Sequence, residues 1–250
     1  IKVWPLFFVP YLAVRRDWNV VAWTLMFALL LTMAPALYFG FSANLDLLSQ
    51  WLDQEFQTQL GSAEIWYPNQ SLRGALMRYL TLVDYSEVPD SNYRTVNIVS
   101  LNPEMVHTLW FGMAGAGYVG LLLLAYRRRQ EVGWVEHGVA FCGLALLEPF
   151  SHKSALVVLL WPAIIAGCIL AREHPPLWVR GVVYAAIGLA LIQPLAPGSD
   201  AQRLLQVLGF DFVAACCLTA ALVWASVNGV QLVQPDQSAA GKSRATSAMA

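Results

Sequence analysis

Trp18-Asn19-Val20-Val21-Ala22-Trp23-Thr24-Leu25-Met26-Phe27-Ala28-Leu29-Leu30-Leu31-Thr32-Met33-Ala34-Pro35-Ala36-Leu37-Tyr38-Phe39-Gly40-Phe41 runs without one charged side chain. A helix rises 1.5 Å per residue, so about twenty apolar residues cross the roughly 30 Å hydrocarbon layer of a bilayer. This stretch is long enough to span. The same window, moved along the chain, finds further full spans at Met105 to Tyr126, Val132 to Phe150, Ala155 to Ala171, Leu177 to Leu195 and Leu204 to Leu232. A leading run from Val3 to Val14 carries Pro5 and Pro10 and ends on Arg15-Arg16, and reads as a truncated or proline-broken span. The expected fold is all-α: a polytopic membrane helix bundle of six full spans plus a partial leading helix, forming one membrane domain over residues 1–232.

Composition agrees with that reading. Of 250 residues, 58% are hydrophobic and only 12% charged, about half the charged fraction of an ordinary soluble domain. Such a chain cannot clothe a water-facing surface. Fifteen basic against sixteen acidic residues leave a net charge of -1, so no overall field points to nucleic acid. Cys142, Cys168, Cys216 and Cys217 all sit inside apolar runs, without paired spacing or neighbouring histidines. They read as small hydrophobes, and neither a metal site nor a cofactor is expected. Residue 1 is Ile, followed by an apolar run with no charged leader, so the chain reads as the back part of a longer protein.

Basic residues of short loops stay on the cytoplasmic side. Arg15-Arg16, Arg127-Arg128-Arg129, Arg172 and the tail residues Lys242 and Arg244 fall on one side if each span crosses once. That side is assigned as cytoplasmic and the protein as multi-pass in the cell (inner) membrane. The extracytoplasmic side then receives Lys2, the long loop from Ser42 to Glu104, the turn at Ser151-His152-Lys153 and the loop from Ala196 to Arg203. The segment 233–250, rich in Ser, Ala, Gln and Lys, reads as a disordered cytoplasmic tail.

Within the long loop, Leu45, Leu48, Trp51, Leu52 and Phe56 form an apolar stripe opposite Asp46, Gln50, Asp53, Gln54 and Gln57. An amphipathic helix follows, lying in the membrane interface or packed on the bundle. A second helix is expected from Pro68-Asn69 to Val83, with Asn69 as N-cap and Leu72, Ala75, Leu76, Tyr79, Leu80 and Val83 on one side. Its start, Asn69-Gln70-Ser71-Leu72-Arg73-Gly74-Ala75-Leu76-Met77-Arg78, gathers free N–H groups, amides, a hydroxyl and two guanidiniums beside a bilayer. Anions bind such helix starts, and arginine matches phosphate. A capped amphipathic helix with two solvated arginines has the same spacing, so spacing alone leaves both readings open.

Three segments bear a family resemblance. Asn69-Gln70-Ser71-Leu72-Arg73-Gly74 with Arg78 resembles the NQS-x-x-G-x-x-x-R signature in the long extracytoplasmic loop of glycosyltransferase family 87. Lys2-Val3-Trp4-Pro5 through Arg15-Arg16 resembles that family's lysine-proline helix, and Glu148-Pro149-Phe150-Ser151-His152-Lys153-Ser154, running into Leu159-Leu160-Trp161-Pro162, is similar to its Ser-Pro-x-Ser segment. The order matches. The resemblance implies a GT-C-like membrane enzyme that moves a hexose, often mannose, from a polyprenyl phosphate donor to a glycan or glycolipid acceptor on the extracytoplasmic side. It implies an inverting displacement with a carboxylate base, and the family's aspartate for this lies in a first extracytoplasmic loop, expected upstream of residue 1.

On that resemblance the donor and its phosphate are expected at Asn69, Gln70, Ser71, Arg73 and Arg78, with Lys2, His152 and Lys153 as further candidates. Among the carboxylates on the extracytoplasmic side (Asp46, Asp53, Glu55, Glu64, Asp84, Glu87, Asp90 and Glu148), Glu148 is the candidate base, because it ends an apolar span beside Pro149. An ion pair with Lys153 at headgroup level is its alternative. Tyr85, Tyr93 and Arg94 suggest acceptor contacts, since aromatic faces and amides bind sugars. Two other classes share much of this pattern: a lipid-sugar transporter or flippase, suggested by Pro35, Pro162 and the Gly112 to Gly117 region, and a noncatalytic membrane scaffold.

Overall fold

The computed structural model describes residues 4–60, 69–82, 95–129, 133–151, 155–230 and 232. Lys2, His152, Lys153, Glu64, Asp84, Glu87, Asp90, Tyr85, Tyr93, Arg94 and the tail 233–250 lie outside them. Among the described residues the chain is helical, with no strand. The helices are α1 (Trp4–Arg15), α2 (Trp18–Met33), α3 (Ala36–Phe39), α4 (Phe41–Leu60), α5 (Leu72–Leu80) and α6 (Pro103–Arg127). They continue with α7 (Trp134–Leu147), α8 (Leu160–Arg172), α9 (Leu177–Leu195), α10 (Gly198–Val207) and α11 (Phe210–Val227).

Among the described residues, four helical stretches are long and apolar enough to cross a membrane: Trp18–Phe39, Pro103–Arg127, Leu177–Leu195 and Phe210–Val227. Six were expected, and the differences trace to single residues. The span drawn from Val132 to Phe150 is only Trp134–Leu147, because a residue before proline is pushed out of the α region. Glu148 duly sits at φ -59, ψ 148. Ahead of α8, Ala155–Leu159 forms a 3-10 turn; Pro162 has no N–H to donate four residues back, so the α-helical register is set only from Leu160. The span drawn from Leu204 to Leu232 breaks at Gly209, which adopts φ 66, a conformation that glycine enters without a Cβ penalty. The Ala196 to Arg203 loop is instead most of α10.

The core lies where α7, α9 and α11 meet, with α1, α6 and α8 around them. Ala125, Ala140, Ala166, Ala186, Ala221 and Ala225 are all buried there. Small residues let helix backbones approach closely, which is how helices associate when the surrounding solvent is itself apolar. A polar bond helps tie α7 to α11: Ser226 Oγ donates to Glu136 Oε1 at 2.5 Å, both groups buried.

Outer surfaces are apolar. Trp18, Trp23, Leu29 and Leu31 of α2 are each more than half exposed, and so wide an apolar face suits lipid rather than water. On α4, Leu45 and Leu52 also stay uncovered, so the stripe expected there leaves apolar surface at its first turns and beyond.

The bundle has two distinct ends. At one, the Arg15 guanidinium lies against Gly133 before α7, and Arg128 Nη2 donates to Val227 O at the close of α11, 3.0 Å away. At the other lie α5, the start of α6, the residues after α7 and the junction of α10 with α11. Arginine-rich turns and the Asn69 to Arg78 segment thus occupy opposite ends of α6.

Candidate functional site

The site grows from two chain breaks. Pro149 stops α7 and leaves Pro149, Phe150 and Ser151 non-helical, while Gly209 stops α10. Both breaks leave backbone carbonyls and N–H groups that helix geometry cannot pair. The Asn69 to Arg78 segment pairs them.

Asn69 does so with every polar atom of its side chain. Its Oδ1 accepts from Ser71 N at 3.0 Å and from Ser151 N at 2.9 Å, while Nδ2 donates to Pro149 O at 2.9 Å. Gln70 N donates to Ser151 O at 2.6 Å, and Ser71 Oγ donates to Pro149 O at 3.2 Å. The same hydroxyl accepts from Gly74 N at 3.2 Å, so Ser71 caps α5. This corrects the expected N-cap by two residues: Asn69 spends its amide on a neighbouring segment, and the helix begins at Leu72.

Across α5, three side chains close the end of α10. Gln70 Nε2 donates to Gln206 O at 2.9 Å, Arg78 Nε to Val207 O at 3.1 Å, and Tyr79 Oη to Leu208 O at 2.8 Å. Three successive carbonyls therefore accept from one facing segment, Gln70 ahead of α5 and Arg78 and Tyr79 on it. A cation at a helix C-terminus also meets the negative end of its dipole, so Arg78 is favoured there twice over. Arg78 Nη1 further donates to Asn69 O. Gly74 permits this: a Cβ there would lie 2.3 Å from Asn69 O, a backbone atom with no room to yield.

The far end of α5 is held too. Ile98 N donates to Tyr79 O at 2.8 Å and Leu101 N to Leu80 O at 2.7 Å, just before Asn102 caps α6 by accepting from Glu104 N at 2.9 Å. These bonds press α5 against the first turns of α6. There the Arg73 guanidinium lies 5.7 Å from the centre of the Trp110 ring, within cation–π range, and His107 stacks on Trp110 with ring centres 5.4 Å apart and planes 9° from parallel.

Asn69, Gln70, Ser71, Arg73 and Arg78 are all buried, at 6% exposure or less, so neither arginine points into bulk water. Burial pulls the Arg73 pKa below its ordinary value, yet an arginine starts so high that it stays cationic. Glu148 ends α7 beside this cluster, with both carboxylate oxygens enclosed by protein. Gln70 Oε1 and Ser151 Oγ are buried without a hydrogen-bond partner among the described residues. Lys2, His152 and Lys153 lie outside the described residues.

Sequence reasoning passed over His107, Trp110, Gln206 and Gly209. His107 and Trp110 stand three residues apart, hence on one helix face, one turn into a span that adjoins the polar loop; that spacing was a usable signal. Gln206 and Leu208 contribute through backbone oxygens, which carry no residue-type signal.

The family model for Glycosyltransferase family 87 matches residues 1–147. It takes in α1 to α7, including the whole Asn69 to Arg78 segment, and stops before Pro149, Ser151 and α10. No curated protein and no solved structure matches the chain.

Proposed function

The chain belongs to glycosyltransferase family 87, and from that premise we propose that it moves a hexose of the mannose type from a polyprenyl phosphate donor to a glycan or glycolipid acceptor on the extracytoplasmic face. A membrane glycosyltransferase is what the family and the four membrane-length apolar helices give together. The observation that carries the finer reading is the interlock of the Asn69 to Arg78 segment with Pro149 and Ser151 and with the end of α10, beside the buried cation of Arg73.

In the proposed reaction the acceptor hydroxyl oxygen attacks the anomeric carbon, and the bond from that carbon to the phosphate oxygen breaks. A carboxylate takes the hydroxyl proton; Glu148 is this chain's candidate for it. The leaving phosphate changes from a diester to a monoester and gains negative charge. A fixed cation at that point stabilises the transition state more than the bound donor, which is what raises the rate. Arg73 is assigned to that phosphate. Asn69, Gln70, Ser71 and Arg78 form the donor-side wall, shaped by their bonds to backbone carbonyls, and Lys2, His152 and Lys153 are assigned as further phosphate contacts.

The test uses membrane vesicles from cells making the full protein, with radiolabelled polyprenyl phosphate mannose and the acceptors native to those membranes. Wild type is expected to pass label to an acceptor, and Arg73→Ala to lower the rate roughly a hundredfold, as loss of one preorganised charge donor does. Arg78→Ala is expected to lose rate heavily as well, and its unfolding temperature shows how much of that loss comes from the uncapped end of α10. An unchanged rate in both variants removes these arginines from the reaction; no transfer by wild type from this donor removes the donor assignment.

A further inference from the structure

We propose that Arg73, Trp110 and His107 form a phosphate-ester subsite between α5 and the first turns of α6, near the boundary between lipid headgroups and hydrocarbon. The donor identity rests on the glycosyltransferase reading; the subsite itself rests on the following geometry. Trp110 is 97% buried, at 3% exposure, yet its Nε1 has no hydrogen-bond partner among the described residues, and neither does His107 Nε2. An indole N–H can only donate. Leaving a buried donor unpaired is unfavourable by about 1–3 kcal/mol, so the arrangement suits a ligand that brings acceptor oxygens.

The Arg73 guanidinium adds the charge requirement. It lies over the Trp110 ring, so a ligand meeting the indole N–H also feels the cation. A phosphate oxygen answers both demands, with an acceptor lone pair and a negative charge. His107, stacked on the same indole, supplies a second ring nitrogen and holds the Trp110 plane in place.

Depth and surroundings fit a phosphate on a lipid. His107 and Trp110 are four and seven residues past Pro103, about 6 and 10 Å along the helix. α6 has 25 residues, roughly 37 Å, so about 7 Å of it extends past a roughly 30 Å hydrocarbon layer, and His107 and Trp110 fall close to the boundary between headgroups and hydrocarbon. On the same turns Met105 and Leu109 are exposed and offer apolar surface to a lipid tail.

The experiment places the full chain in phosphatidylcholine nanodiscs and measures equilibrium binding of tritiated farnesyl phosphate, a short polyprenyl phosphate. Trp110→Phe keeps an aromatic face, though a smaller one, and removes the N–H; it is expected to weaken binding roughly tenfold, the effect of one hydrogen bond to a charged group. Arg73→Gln is expected to weaken it further, and His107→Ala to weaken it less. Should Arg73→Gln fail to fold, Trp110→Phe and His107→Ala, which leave the Arg73 charge in place, still decide. Binding unchanged in Trp110→Phe and in His107→Ala overturns the subsite.

Two competition arms identify the source of the phosphate. Displacement by inorganic phosphate supports the subsite as a reader of phosphate alone, and displacement by phosphatidylglycerol supports it as a reader of bulk anionic lipid. Displacement by neither supports the polyprenyl donor. Variants that lose sugar transfer but bind farnesyl phosphate normally sink the subsite and leave the enzyme reading standing. A wild type that binds farnesyl phosphate and transfers no sugar does the reverse.

Discussion

Asn69 shows how much one amide can organise. Its side chain accepts two N–H bonds and donates one, joining its own helix start to the segment after α7. Aspartate has the same shape but cannot donate, and it would set a negative charge against the Pro149 carbonyl. Asn69→Asp is therefore expected to lower stability by about 1–3 kcal/mol despite unchanged volume, read as a fall in unfolding temperature of the detergent-solubilised protein. A variant as stable as wild type would mean that this bond network does not hold the two segments together. The identity of Asn69, Gln70, Ser71, Arg73 and Arg78 as a cluster was legible in the sequence. Their partners were not, since Pro149, Ser151, Gln206 and Val207 lie far along the chain and mostly offer main-chain atoms.

At the scale of elements, helices were easier to find than their ends. A window of about twenty residues averages over single-residue punctuation, so it merged α10 with α11 across Gly209 and extended α7 past Glu148. Each break was written in one residue: a proline that forbids helix before it, and a glycine free to turn left-handed. Gly209 also has a spatial reason to lack a side chain, because a Cβ there would sit 3.2 Å from Arg78 Nη2. Gly209→Ala is expected to destabilise by roughly 1–2 kcal/mol from the left-handed backbone alone, with added loss if Arg78 is displaced from Val207 O. Unfolding temperature measured for Gly209→Ala, Arg78→Ala and the double variant checks this. If Cβ and guanidinium compete for one space, the double variant loses less than the two single losses added; strict additivity would sever that link.

For the whole molecule, the opposite placement of arginine turns and the Asn69 to Arg78 segment turns orientation into a measurable quantity. Ser100 is exposed near the start of α6 and Asn228 is exposed past the end of α11. In a background without the native cysteines, Ser100→Cys is expected to react with a membrane-impermeant maleimide in intact cells, and Asn228→Cys only after lysis. The reverse pattern would put the Asn69 to Arg78 segment in the cytoplasm and contradict the charge-based topology. The gathering of Arg15 and Arg128 at one end was legible because charge bias is a property of many loops at once, whereas the fit of one loop to another depends on distances that no local window holds.

The interlock also sets a clock on biogenesis. Gln70 waits 136 residues of chain for Gln206, and Asn69 waits 80 for Pro149. Contacts so distant in sequence form late, after the intervening loops have been closed. A ribosome making this protein from its N-terminus thus delivers the Asn69 to Arg78 segment well before the carbonyls that anchor it. Until α10 emerges, Arg78 lacks the helix end that it caps, so the interlock is completed only in a molecule in which α10 has already been made.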